Sequence, residues 1–285
     1  MVQKITEKKN IIIPDYLSLT THQLAIGFTE TDTIFSTASG FIFIHNEKYY
    51  LITNWHNVTG RNHQTGESLS DNHAGIPNIF LTYIRIKNGN GQSRLEKIFL
   101  YEDDEMTIPK WLVHPEHNEK VDVVAIELNV KDELVYSAIN KSDFDNKIAP
   151  EVGDDCFIIG YPFEEFRYLG LPIWKRASIS TEPTINEDQL PKLLVDTATR
   201  PGLSGSPVIY QRVGVHNITE GILSNETMFG RIRGFLGIYS GRIGKGEFHA
   251  QLGIVWKKKV IEEIIDGQKI GNIEFQTKTK DNGSK

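Results

Sequence analysis

The sequence predicts an all-β fold whose strands fall into two groups, with a helix near the C-terminal end. Three observations carry this. Short apolar runs rich in Val, Ile, Phe and Tyr recur along the chain, separated by Gly, Asn, Asp and Pro, the pattern of half-buried strands joined by turns. The polar stretch "NVKDELVYSAINKSDFDNKIAP" (129–150) lacks alternation and divides these runs into two sets of similar size. A helical spacing of apolar residues appears only after the last run.

In chain order, the first set is 24–28, 40–44, 48–53, 79–86 and 121–128, and the second is 155–161, 192–197, 206–210, 234–240 and 251–256. Between two of these runs, "HNEK" (45–48) reads as a hairpin turn, with Asn46 suited to a left-handed conformation. Residues 1–128 therefore form one β unit, 129–150 a crossover, and 151–266 a second β unit ending in the helix. In "KKKVIEEIID" (257–266) Val260, Ile261, Ile264 and Ile265 share a face, Gly267 supplies a C-cap, and the helix is expected to pack on the second unit. The remainder, 267–285, is a polar tail. Long connections are expected at 60–78 and 211–234.

Composition excludes several classes of function. With 31 Lys+Arg against 37 Asp+Glu, the net charge of -6 offers no field for a nucleic-acid backbone. Cys156 is the single cysteine, so no intrachain disulfide forms, which points to a reducing, cytoplasmic location. The opening apolar run is only Ile11 to Ile13 before Pro14, too short for a signal peptide. No stretch approaches the roughly 18 apolar residues of a membrane helix.

The segment "RPGLSGSPVIY" (200–210) packs two glycines around a serine and then enters an apolar run. A turn alone explains the glycines. A nucleophilic serine demands more, namely a base, a group that orients the base, and donors for an oxyanion. "YYLITNWHNVTG" supplies His56 directly after a strand, and "EKVDVVAIEL" supplies Asp122 at the head of another. The order is His, Asp, Ser.

These residues resemble the chymotrypsin-like, or trypsin-fold, serine peptidases. "LITNWHNV", "VDVVAIEL" and "GLSGSP" match that family's three motifs, and "GFIFI", "GDDCFIIGYP", "LGIYSG" and "LGIVW" match the flanks, over about residues 20–266. The disulfide-free bacterial branch, with HtrA-type protease domains, is the nearest in character; no room for a PDZ domain is read after residue 266. The resemblance implies two six-stranded antiparallel β-barrels with the site between them. It implies that Ser204 attacks a carbonyl, His56 transfers the proton, Asp122 orients His56, and the N–H groups of Gly202 and Ser204 hold the oxyanion. Ser206 precedes Pro207 directly and fails the motif. No metal or cofactor is implied. By motif position Ala198, Thr199, Tyr239, Ser240 and Gly241 line the substrate pocket. Ala198 brings no acid for a Lys or Arg side chain, and Tyr239 stands where glutamyl endopeptidases carry a histidine, so an apolar P1 residue is expected.

Leu203 replaces the aspartate that pairs with a newly cut N-terminus in zymogen-activated relatives, so the oxyanion loop is ordered in another way. The remaining histidines, His114 and His117 included, read as solvated loop residues, and the three Asn-x-Thr sequences as unmodified. The resulting expectation is a serine endopeptidase acting on proteins or peptides, with an enzyme latent until a partner activates it as a variant of that reading. The rival is a protease-fold module that binds peptides or proteins with little turnover.

Overall fold

The computed structural model describes residues 13–29, 33–69, 75–145, 148–162, 170–198, 201–217, 222, 225, 227–242 and 251–274. In the first unit a short helix α1 (Tyr16–Thr20) leads into β1 (Thr21–Phe28), β2 (Thr33–His45) and β3 (Lys48–Thr53), followed by helix α2 (Trp55–Thr59). There follow β4 (Ile79–Ile86), β5 (Ser93–Phe99), β6 (Trp111–Leu112), β7 (Val124–Glu127) and β8 (Leu134–Val135). The second unit holds β9 (Asp155–Gly160), β10 (Ile173–Ile179), β11 (Lys192–Asp196), β12 (Pro207–His216), β13 (Met228–Arg242) and β14 (Leu252–Lys257), and then helix α3 (Lys259–Gly267).

β9 to β14 close into a six-stranded barrel, in the order β10-β11-β14-β13-β12-β9. The first unit is an eight-stranded sheet, β5-β4-β1-β2-β3-β7-β6, with β8 on the side of β4. Its two end strands approach each other where Tyr101 bridges Pro109 and Lys110 N donates to Leu100 O at 2.9 Å. This differs in detail from six strands per unit, because β6 and β8 are two-residue pieces. β5 and β10 are absent from the sequence reading. "SRLEKIF" and "IWKRASI" interleave charges with apolar residues, and only one or two side chains of each are fully buried.

At the β2–β3 hairpin Asn46 (φ 47°) and Glu47 (φ 65°) both adopt the left-handed conformation that a two-residue turn between twisted strands requires. The expected long connection at 211–234 is corrected: residues 211–216 and 228–234 extend β12 and β13 as a two-stranded ribbon. Val213 lies opposite Arg231, Gly214 opposite Gly230 and Val215 opposite Phe229, a mixture that the sequence alone presents as a loop.

Helix α3 also departs from expectation. Val260, Ile261, Ile264 and Ile265 are buried in a cluster that contains Phe41, Ile52, Val121 and Val123 of the first unit and Ile159, Ile209, Ile238 and Trp256 of the second. The helix thus packs between the units, where an apolar stripe finds partners on both sides. Its cap is Gln268 (φ 46°), not Gly267. Glycine is needed at 267 for a different reason: a Cβ there would lie 2.8 Å from the Pro115 ring. Beyond the helix the chain returns to the first unit, with Val113 N donating to Lys269 O and Gly271 N to Trp111 O.

Candidate active site

Ser204 stands in a turn just before β12. The turn is shaped by Gly202 (φ +91°) and Gly205 (φ +86°), both in the region that favours glycine. Space demands glycine as well, since a Cβ at 202 would come within 2.3 Å of Tyr161 O and one at 205 within 2.0 Å of Ser39 O. Ser39, on β2, clamps the turn from the other unit. Its N–H donates to Ser204 O (2.8 Å) and its hydroxyl to Gly202 O (2.8 Å), while the same hydroxyl accepts from Tyr161 N (3.0 Å). From the barrel side Gly205 N donates to Tyr239 O (2.9 Å), and Leu203 is fully buried in the second unit's core. The loop is therefore held by apolar burial and by Ser39. Neither Gly202 N nor Ser204 N has a protein acceptor among the described residues.

His56 lies in the first turn of α2, whose orphan amides need acceptors. Asp122, fully buried ahead of β7, supplies one: His56 N donates to Asp122 Oδ1 at 2.9 Å. His56 Nδ1 meets the other oxygen, Oδ2, at 2.7 Å. A carboxylate only accepts, so Nδ1 carries a proton, and in the neutral tautomer Nε2 is the acceptor. Ser240 Oγ also donates to Asp122 Oδ2. Asn54, at the N-cap, gives its amide not to the helix but to Asp122 O, at 2.6 Å. Burial pushes the Asp122 carboxyl up, yet the charge and hydrogen bond of His56, with His63 and Ser240, hold it below the ordinary carboxylate value.

His56, Ser204 and Gly202 line one cavity of about 370 Å³. His56, Asp122, Ser204, Ser240 and Gly241 line another of about 260 Å³. Ser204 Oγ makes no hydrogen bond to His56 among the described residues, although the two share both cavities.

The remaining pocket candidates are distributed differently. Ser240 turns its hydroxyl to Asp122, a role that its assignment to the pocket wall missed. Gly241 (φ +109°) lines the cavity beside Ser204. Tyr239 is buried in the barrel core with its ring over Gly253, where a Cβ would lie 2.6 Å from Cε2. Ala198 is exposed after β11, and Thr199 lies outside the described residues.

Two histidines require correction. His63 lies in a turn but is partly buried: it lines the cavity of His56 and Asp122, its ring meets Trp256 edge to face at 6.2 Å, and burial lowers its pKa. His114 is buried too, with Nδ1 accepting from Glu116 N and His117 N at 3.2 Å each and Nε2 3.3 Å from Glu263. No cluster among the described residues is arranged to hold a metal ion. Cys156 is buried, which pushes its thiol up to about 12. No helix among the described residues is long and apolar enough to cross a membrane.

The profile of the trypsin-like peptidase domain family matches residues 38–215. The chain belongs to that family. The match takes in His56, Asp122 and Ser204 and ends within β12. No curated protein sequence matches the chain. Among solved structures it is similar to the HtrA-type protease AlgW with tripeptide, at 16% identity and a TM-score of 0.49, over 89% of this chain and 63% of that one. It spans less than two thirds of that protein. It is also similar to the Rv3671c protease from M. tuberculosis, active form, at 16% identity and a TM-score of 0.45, over 90% of this chain and 83% of that one. The inactive form of Rv3671c gives 16% identity and a TM-score of 0.42, over 88% and 89%.

Proposed function

We propose that this trypsin-like peptidase domain is a serine endopeptidase that hydrolyses peptide bonds of proteins or peptides through an acyl-enzyme. The observation that carries the reading is the buried Asp122 carboxylate bonded to His56 Nδ1, which makes Nε2 the acceptor of the neutral ring, on a residue that lines the same cavity as Ser204. Ser204 Oγ attacks the substrate carbonyl as its proton passes to His56 Nε2. The oxyanion is met by the free amides of Gly202 and Ser204. The imidazolium, stabilised by Asp122, then protonates the leaving amine. Water repeats the sequence, giving its proton to His56, attacking the acyl carbon and releasing Ser204.

The absent Ser204–His56 hydrogen bond favours a latent enzyme, tightened by an activating protein partner. It also supports the second reading, a peptide-binding module. A fluorophosphonate probe, applied to the protein alone and with cell lysate, separates these outcomes when the labelled residue is located by mass spectrometry. Label on Ser204, lost in Ser204→Ala, is the expected result, and label that needs lysate identifies latency. No label on Ser204 in either condition overturns the enzyme reading in favour of the binding module.

A further inference from the structure

A second cavity, of about 340 Å³, opens on the flank of the first unit and is lined by Ser18, Thr21, His22, Arg85, Tyr161 and Leu171, among others. Among the described residues it shares no lining residue with the two cavities at Ser204. Its polar groups are unbalanced. Among the described residues that line it, Arg85 is the one that carries a charge. Arg85 Nη2 donates to Leu19 O and Ser137 Oγ, each at 3.0 Å, and no carboxylate meets the guanidinium among the described residues. A half-buried cation without a counter-charge is unfavourable unless something supplies one.

His22 is only 8% exposed, and its Nδ1 lies 3.2 Å from Tyr83 O. A carbonyl only accepts, so Nδ1 carries the proton and Nε2 is an acceptor. That nitrogen is buried without a partner, as is Thr21 Oγ1. The site therefore lacks one negative charge and one hydrogen-bond donor.

We propose that this cavity binds a carboxylate that carries a neighbouring N–H or O–H, the carboxylate on Arg85 and the donor on His22 Nε2. A single guanidinium balances a monoanion, whereas a phosphate dianion would leave excess negative charge in a half-buried place. Two sources offer this chemistry, a small hydroxy or amino acid and the C-terminus of a peptide.

Occupancy also bears on the proposed active site, and this step rests on that reading. Tyr161 OH donates to Gly170 O at 2.8 Å at the cavity, while Tyr161 N donates to Ser39 Oγ, which holds Gly202 O. A ligand that fixes Tyr161 fixes the residue packed against the oxyanion turn.

Calorimetry on full-length Ser204→Ala tests binding without turnover, using lactate, N-acetyl-alanyl-alanine, the amide of each, and inorganic phosphate. Saturable binding of at least one acid is expected, weakened about tenfold or more in its amide and in Arg85→Gln and largely restored in Arg85→Lys. Whichever acid binds identifies the source. Absence of binding by both acids, equal binding of acid and amide, or preference for phosphate would overturn the site. Coupling is read separately in the parent protein, as a change of about threefold or more in fluorophosphonate labelling rate at saturating acid. An unchanged rate overturns the coupling alone, and absence of labelling counts against the enzyme reading without touching the calorimetry.

Discussion

Asp122 carries two loads at the residue scale, since its oxygens cap α2 and fix His56. Its carboxyl is held below 3.8, so the stabilisation it contributes is complete above that value and is lost as the pH falls through the lower folded one. Asp122→Asn turns an amide donor towards at least one of these N–H groups. Labelling at neutral pH should fall by about 10³-fold or more, and His56→Ala should cost about as much as Ser204→Ala if, as proposed, the three act as a unit. Near-parental labelling in His56→Ala would send the search for a base to His63, which shares the cavity. A separate test concerns His22. Burial, aided by Arg85 and opposed by the bond to Tyr83 O, lowers its pKa from 6.5 to about 4. The neutral ring thus contributes stability that is present above 6.5 and lost as the pH falls towards 4, about 3 kcal/mol in all. Urea unfolding at several pH values should show a shallower acid slope in His22→Gln than in the parent, and identical slopes would refute the assignment.

Among the elements, α3 gives the clearest conflict between local and tertiary demands. Gly267→Ala gains about 1 kcal/mol of helix propensity, but its methyl would meet the rigid Pro115 ring at 2.8 Å, and such overpacking costs about 1–3 kcal/mol. The variant should melt lower than the parent, and a raised Tm would show that Pro115 yields. The chain just after β11 sets a second expectation. With no acidic side chain at Ala198, an aliphatic P1 side chain could contribute roughly 1.5–3 kcal/mol on burial, whereas Lys or Arg would find no counter-charge at that position. Dominant basic P1 residues in a peptide-library profile would contradict this. Legibility follows the range of the interactions. The hairpin at Asn46, the glycine-flanked serine and the apolar stripe of α3 are local patterns, and each is visible in the sequence. Ser39 holds Gly202 across 163 residues, and Ser240 reaches Asp122 across 118, so neither hydroxyl leaves a mark in its neighbourhood. His63 is hidden for the same reason, because Trp256 on β14 and Asp122 ahead of β7 are distant from it in sequence.

Across the whole molecule, the site is assembled from both units: His56 and Asp122 belong to the first, and Ser204 to the turn before β12 in the second. Their mutual placement depends on what joins the units, and the largest shared feature is the cluster around α3, which mixes Phe41 and Ile52 with Ile238 and Trp256. One buried cluster common to both units makes their unfolding mutually dependent, since opening either would expose apolar surface of the other. Ile264, fully buried within it, touches neither cavity at Ser204. Ile264→Ala should cost about 2–5 kcal/mol and lower Tm, while both units still melt in one transition. Labelling of Ser204 below that transition should stay near the parental rate, then vanish with the fold, because the mutation weakens the seam without altering a reacting group. Two transitions, resolved by near-UV circular dichroism and by calorimetry, would show that the units are independently stable and that something other than this cluster sets the distance from His56 to Ser204.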